Sequence, residues 1–188
     1  MNTRIRCGQL CSTIGPIAHA IVPGVPDPRR TCAPRPGSKF QVTVQGVIMS
    51  FVLVLPSGVR AELEALAGAG YPDETCGLLL GRDEGACCDV LAQWPARNLN
   101  LERARDRFEL DPLDYLAAEE AAAAAGVLLV GVWHSHPDHP ALPSETDRAM
   151  AWPGLSYVIL SVAASGVVDL RSWRIEGREF CEMEIRHG

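Results

Sequence analysis

The sequence lacks a hydrophobic run long enough to span a membrane, a Cys-x-x-Cys pair and any internal repeat. The uncharged apolar run at 121–133 is shorter than the roughly 20 residues that a membrane-spanning helix needs. The seven cysteines are an odd, irregular set, and a chain of 188 residues buries a full core without a disulfide framework. We therefore expect one globular domain in the cytoplasm, without a membrane contact.

Positive charge is scarce beyond residue 48. Residues 1–48 carry six basic side chains and one acidic side chain, a net charge of +5, whereas residues 49–188 carry 11 basic and 22 acidic side chains, a net charge of −11. A domain that binds nucleic acid without sequence preference needs a basic stripe that faces the phosphates. The acidic body therefore argues against nucleic acid as a partner.

Residues 1–48 also lack a sustained hydrophobic period, and residues 23–38 are rich in proline. Their Arg-rich, acid-poor composition is compatible with a targeting segment. Glycines and prolines interrupt the apolar stretch, however, and no convincing cleavage site follows. We favour a disordered extension, or translation upstream of a true start at Met49, and expect the functional domain to occupy residues 49–188.

Alternating strand and helix patterns begin at Met49. They predict strands at 51–55, 76–80, 87–94, 127–133, 155–163, 167–175 and 181–185, and helices that begin near Ser57, after the N-cap Asp111, and at Ser144. Interleaved strands and helices predict an α/β or α+β fold, a mixed β-sheet flanked by helices. The half-exposed last strand could pair at a sheet edge, which would give a homodimer.

Three histidines lie within six residues after the apolar strand at 127–133. His134 and His136 are two apart, so an extended chain directs both to the same side, where they can hold one metal ion. Asp147 completes an S-x-x-D capping box that begins at Ser144, in a helical turn that can fold back toward the histidines. Two histidines and one carboxylate form a three-ligand zinc set with an open fourth position, as in catalytic sites. The intervening residues 138–139 lie in a proline-rich loop, and we expect them to stay outside that set.

A metal-dependent hydrolase also needs a general base. The candidates are four carboxylates of the body: Glu74, Glu84, Glu109 and Glu145. Glu74 precedes an apolar strand, where partial loss of hydration raises the pKa of a carboxylate toward the working range. The sequence therefore favours Glu74.

The pattern H-x-H-x7-S-x2-D at His134, His136, Ser144 and Asp147, with Glu74 upstream in an E-x-C-G setting, resembles that of the JAMM (MPN+) family of zinc isopeptidases. The resemblance covers residues 51–185. It implies a cytidine-deaminase-like core with one zinc ion (Zn2+) per chain at the sheet edge, bound by the two histidines and the aspartate. It also implies that Glu74 is the general base and acid, and that Ser144 stabilises the oxyanion.

The compact chain resembles the bacterial stand-alone members of this family. Those members are associated with small ubiquitin-like sulfur-carrier proteins (ThiS/MoaD-like) that end in Gly-Gly. The implied function is zinc-dependent hydrolysis of a peptide or isopeptide bond after that tail, for example release of cysteine made on the carrier. Two alternatives remain, a non-catalytic MPN-type scaffold and a general deubiquitinase-like isopeptidase. A zinc nucleobase deaminase is excluded because the sequence has neither H-x-E nor P-C-x-x-C.

Three arginines alternate before Phe108, at Arg103, Arg105 and Arg107. The alternation predicts three guanidinium groups on one side of an extended segment. They could bind a carboxylate-bearing partner or form a solvated face.

Overall fold

The computed structural model describes residues 41–44, 47–177 and 179–188. Within them it contains nine strands and three helices. In chain order these are β1 (Gln41–Val44), β2 (Val47–Ser50), β3 (Val52–Leu55), α1 (Ser57–Gly70), β4 (Cys76–Asp83), β5 (Cys87–Ala96), α2 (Pro112–Ala124), β6 (Leu128–Pro137), α3 (Glu145–Met150), β7 (Ser156–Ala163), β8 (Gly166–Glu176) and β9 (Glu179–His187). Every element predicted from residue 51 onward is present, and β6 continues through the histidines that the pattern placed after it.

Seven of these strands form one mixed sheet that closes on itself as a barrel, in the order β3-β5-β4-β6-β7-β8-β9. Strand β3 is parallel to both β5 and β9, β6 is parallel to β7, and the other neighbours are antiparallel. The α/β class with a mixed sheet and flanking helices is confirmed. The closure is a finding of the structure, because it joins β3 to β9 across almost the whole domain.

The expected edge strand near the C-terminus is not an edge. Strand β9 pairs with β3 on one side and with β8 on the other. Backbone groups that are already paired offer no template for a second chain. The homodimer that was expected from this edge therefore has no support in the described residues.

Strands β1 and β2 form a separate antiparallel two-stranded sheet, in which Gln41 lies opposite Ser50 and Val44 lies opposite Val47. They straddle the domain boundary that the hydrophobic pattern places between residues 48 and 49. The remainder of the predicted extension, residues 1–40 and 45–46, lies outside the described residues. The disordered extension and the start at Met49 stay predictions.

The helices cover different parts of the sheet. Helix α1 buries Val59, Leu63 and Ala67 in a core cluster that also contains Trp133. Helix α2 buries only small residues, including Ala118, against β4 and β6. No helix of the described part of the chain is long and apolar enough to cross a membrane.

Candidate metal centre

The two histidines are presented by the last residues of β6. Both are buried, and their Nε2 atoms lie 3.0 Å apart. His134 is paired with β4 on one side and with β7 on the other, and His136 is paired with β7, so the backbone stays extended at both positions. The extended backbone is what directs residues i and i+2 to the same face.

The capping box at the start of α3 brings a carboxylate to these histidines. The Ser144 N–H donates to Asp147 Oδ2 at 2.7 Å, and the Asp147 N–H donates to Ser144 Oγ at 3.1 Å. These two bonds fix the first helical turn. Asp147 Oδ1 then lies 3.3 Å from His134 Nε2, and Oδ2 lies 3.5 Å from His136 Nε2.

The spacing of these ligand atoms fits a tetrahedral metal ion. Four atoms bonded to zinc at 2.0–2.1 Å in a tetrahedron stand about 3.3–3.4 Å apart, and the three separations here are 3.0, 3.3 and 3.5 Å. His136 Nδ1 lies 2.9 Å from the Pro140 carbonyl oxygen, so an Nδ1–H tautomer leaves the Nε2 lone pair toward the cluster. Within the described residues, His134, His136 and Asp147 are the group of ligand side chains close enough to share one ion.

Charge in the cluster is concentrated on the aspartate. Burial alone would raise the pKa of Asp147, but hydrogen bonds with His134 and His136 hold it well below its usual range. Burial lowers the pKa of His134. For His136 the effect of burial is outweighed by the hydrogen bonds with Asp147 and the Pro140 carbonyl, and its pKa is raised. An ionised carboxylate beside two imidazoles is a donor set that suits zinc.

Glu74 is the candidate base that the fold brings to the cluster. Its side chain is 8% exposed, whereas Glu84, Glu109 and Glu145 are exposed. Strand β4 begins two residues later with Cys76 opposite His134. Burial raises the pKa of Glu74 to about 7, while the charge of His136 acts in the opposite direction. A carboxylate with that pKa can accept and return a proton near neutrality.

A cavity of about 530 Å³ opens beside the cluster and is lined by Glu74, Ser144 and Asp147 together. Its wall is largely apolar and includes Tyr115 and Trp152, whose rings meet edge to face. The hydroxyl oxygen of Ser144 accepts a hydrogen bond from the Asp147 N–H, and its O–H remains available as a donor. The site therefore combines three side chains with the spacing of a metal-ligand set, a carboxyl group with a raised pKa and a hydroxyl donor beside a largely apolar cavity.

Sequence reasoning missed the side chain that organises the loop over this site. Asn98 Nδ2 donates to the Glu74 carbonyl oxygen at 3.1 Å and to the Arg107 carbonyl oxygen at 3.0 Å. Its Oδ1 accepts from the N–H groups of Asn100 and Glu109. In the sequence, Asn98 is one polar loop residue among several, and nothing in its neighbourhood indicates a contact 24 residues upstream.

The arginine segment is not extended, so that prediction is wrong. Residues 104–106 form a turn in which the Asp106 N–H donates to the Arg103 carbonyl oxygen at 3.1 Å. The turn places Asp106 between two guanidinium groups, and both Arg103 and Arg107 pair with its carboxylate. Of the three arginines, Arg107 lines the cavity.

Two loop residues near the ligands, Asp138 and His139, stay outside the cluster, as expected from the proline-rich loop. Both are exposed. Asp138 accepts a hydrogen bond from the Tyr71 hydroxyl at 3.1 Å, and the His139 carbonyl oxygen accepts from Ser161 Oγ at 2.6 Å. They help to shape the loop that follows β6.

The chain is similar to several known proteins. The chain is 38% identical over 120 residues to the desampylase of Haloferax volcanii. The matched region is 63% of this chain and 81% of that protein. It is 33% identical over 129 residues to the CysO-cysteine peptidase of Mycobacterium tuberculosis, 66% of this chain and 84% of that protein. The solution structure of a Desulfitobacterium hafniense protein matches with a TM-score of 0.63 at 33% identity, covering 73% and 92% of the two chains.

Residues 56–176 match the family described as prokaryotic homologs of the JAB domain (Prok-JAB). This match covers more than half of the chain and contains Glu74, both histidines of the cluster, Ser144 and Asp147. The resemblance to JAMM-type stand-alone peptidases is thereby confirmed, and the chain belongs to the family of prokaryotic homologs of the JAB domain.

Proposed function

We propose that this protein is a zinc-dependent peptidase that cleaves a peptide or isopeptide bond after the C-terminal Gly-Gly of a small ubiquitin-like sulfur-carrier protein. The observation that carries the proposal is the buried His134–His136–Asp147 cluster, of which Asp147 lines the same cavity as Glu74. A relative named CysO-cysteine peptidase supports the substrate class. A non-catalytic scaffold has no use for three buried ligands and a base around one point.

The cluster would hold one zinc ion through the Nε2 atoms of His134 and His136 and a carboxylate oxygen of Asp147. When bound there, zinc supplies a Lewis acid that polarises the scissile carbonyl group and acidifies water. The capping box keeps the Asp147 carboxylate aimed at the histidines.

Glu74 would move the proton that the reaction requires. It accepts a proton from the attacking water as the new C–O bond forms at the carbonyl carbon. It then gives that proton to the departing nitrogen as the C–N bond breaks, which yields an amine and a carboxylic acid. The acid proton passes to the amine, so that an ammonium group and a carboxylate leave the site. A base with a pKa near the working pH performs both steps well.

Ser144 would donate its O–H to the carbonyl oxygen as negative charge develops there. Such a donor contributes about 10²–10³ to the rate of acyl-transfer enzymes. The hydroxyl is held by the helix that also supplies Asp147, because Ser144 is the N-cap of α3. One local motif thus places a metal ligand and an oxyanion donor together.

A Gly-Gly tail suits this cavity because glycine has no side chain. A tail without Cβ atoms lets its backbone approach the buried cluster closely, and extended tails are bound mainly through their main chain. The apolar wall with Tyr115 and Trp152 would contact the residues before the two glycines.

Incubation of the full chain with a Gly-Gly-ended carrier conjugate tests the proposal. We expect the intact carrier, ending in Gly-Gly, to appear by mass spectrometry, and the cleavage to stop when a chelator removes the metal. The purified protein should contain about one equivalent of zinc, since the ligands are preassembled and buried. Zinc below about half an equivalent after gentle purification, with no cleavage, would instead support the scaffold.

The domain boundary gives a further test. All the proposed catalytic and metal-binding residues lie between Glu74 and Asp147, and the barrel begins at Val52. Deletion of residues 1–48 is therefore expected to leave zinc content and cleavage unchanged, as measured by metal analysis and the same assay. Loss of the folded circular-dichroism signal in the shortened chain would place the boundary upstream of Met49.

A further inference from the structure

Within the described residues, the guanidinium group of Arg107 is engaged through Nη1 and not through its Nε–Nη2 edge. Its Nη1 donates to the Asp106 carbonyl oxygen at 2.5 Å and lies 3.5 Å from Asp106 Oδ2. The described residues provide no acceptor for Nε or Nη2. The side chain is 32% exposed and lines the cavity that holds Glu74. A half-buried Nε–Nη2 edge is a fork that matches the two oxygens of a carboxylate.

Asp106 does not fully neutralise the positive charge of Arg107, because a second arginine shares its carboxylate. Arg103 makes the closer ion pair with Asp106 and also contacts it through Nε at 3.2 Å. Two guanidinium groups thus share one carboxylate, and Arg107, unlike Arg103, lines the cavity. The other charged side chains that line the cavity are carboxylates, those of Glu74, Asp106, Glu109 and Asp147, so an anion would enter only beside Arg107.

One side chain and one backbone hydrogen bond tie the Arg107 segment to the Glu74 segment. The Asn98 amide group binds the carbonyl oxygens of both Glu74 and Arg107. Glu74 is also tied to the arginine turn, since its N–H donates to the Ala104 carbonyl oxygen at 2.6 Å. The backbone segments that carry the Glu74 carboxyl group and the Arg107 guanidinium group are therefore cross-linked to each other.

We propose that the Nε–Nη2 edge of Arg107 binds the α-carboxylate of the leaving group, which rests on the function proposed above. In an amino acid the amine and the carboxylate are separated by one carbon. A leaving amine that receives its proton from Glu74 thus presents its carboxylate within the same cavity. The substrate would be a carrier joined to the α-amino group of a single amino acid. Hydrolysis gives a carrier that ends in a glycine carboxylate and a free amino acid.

This assignment separates two kinds of substrate. A conjugate through a lysine side chain has no carboxylate near its leaving amine, because four methylene groups and the backbone intervene. Such a conjugate cannot satisfy the Arg107 fork and Glu74 at once. The structure therefore favours amino-acid adducts of the carrier over protein conjugates.

The test compares two forms of one substrate, the carrier extended after Gly-Gly by one cysteine with a free carboxylate or with a carboxamide. For the unmodified enzyme we expect kcat/KM to be about 10- to 100-fold higher with the carboxylate, the usual range for a charge-assisted hydrogen bond. Most of the difference should lie in KM. Free cysteine, but not its amide, should inhibit competitively.

Variants assign the preference to one residue. Arg107→Met should lose about 10- to 100-fold on the carboxylate substrate and change little on the carboxamide, so that the preference disappears. Arg107→Lys should keep part of it, as a point charge without the fork. Arg103→Met is the matched control, because Arg103 pairs with Asp106 but does not line the cavity; it should keep the preference.

Each other outcome overturns a different claim. Equal hydrolysis of both forms by the unmodified enzyme would overturn the carboxylate subsite and leave the peptidase intact. Equal losses on both forms in Arg107→Met would assign Arg107 to the structure of the loop and reject a role in recognition. Hydrolysis of neither form by the zinc-loaded enzyme would overturn the proposed function together with the subsite.

Discussion

Replacement of Glu74 by glutamine is expected to lower kcat by about 10²–10⁴-fold, the range that general acid–base catalysis contributes. Glutamine has nearly the same shape but can neither accept a proton from water nor return one to an amine. Glu74 is not among the three clustered ligands, so the variant should keep its zinc and its thermal stability. The measurement is cleavage of the carrier conjugate beside metal analysis of the same sample.

The pH dependence of kcat/KM gives a second test of the role of Glu74. Glu74 must be ionised to accept a proton, and burial raises its pKa to about 7. A dication in the neighbouring cluster favours the ionised form and shifts that pKa downward. We therefore expect kcat/KM to rise with pH and to level off at or below about pH 7. Glu74→Gln should lack this acidic limb in whatever activity remains.

Glu145→Gln is the control for the removal of a carboxylate near the site. Glu145 is the first residue of α3, next to Ser144, but its side chain points to solvent and does not line the cavity. It should retain full activity. If Glu74→Gln cleaves as fast as the unmodified protein while Glu145→Gln does not, the assignment of the base is wrong.

The parts of the site that could be predicted from the sequence are those encoded by local spacing. His134 and His136 are two apart on a strand, and Ser144 and Asp147 are three apart at a helix start. Each spacing fixes a direction through the period of its own element. Glu74 was favoured because it precedes an apolar strand and stands in an E-x-C-G setting, but its approach to the histidines depends on the register in which Cys76 faces His134. That register is a long-range property.

The rest depended on contacts between distant segments. The β3–β9 pair that closes the barrel and the Asn98 bridge both join residues whose own neighbourhoods carry no distinguishing pattern. The arginine segment shows the reverse error. Its alternation predicts a strand, but residues 104–106 form a turn. The turn is held by ion pairs of Asp106 with two arginines and by the hydrogen bond from the Glu74 N–H. Such tertiary contacts override a short alternating pattern.

Replacement of Asp147 by asparagine is expected to abolish stable zinc binding, and with it cleavage, while the fold persists. The asparagine carbonyl oxygen can still accept the Ser144 N–H, so the capping box remains. Its amide nitrogen then faces the histidines, and an NH₂ group donates hydrogen bonds and does not ligate a metal. Loss of outer hydrogen-bond partners alone weakens metal binding by 10–100-fold; loss of a ligand should weaken it by more than about 100-fold.

Thermal unfolding separates this effect from activity. Zinc at about 100 times its dissociation constant stabilises a folded binding site by about 2.7 kcal/mol, so the metal-free native sequence should show a clear rise in Tm when zinc is added, and Asp147→Asn should show none. Asp138→Asn is the matched control, because it makes the same chemical change at an exposed aspartate. Asp138 lies one residue beyond β6 and outside the cluster. Asparagine also tolerates the positive φ of 56° at that position. A zinc-dependent rise in Tm that survives in Asp147→Asn would remove the carboxylate from the ligand set and leave two histidines, which is too few for the three-ligand catalytic zinc site proposed here.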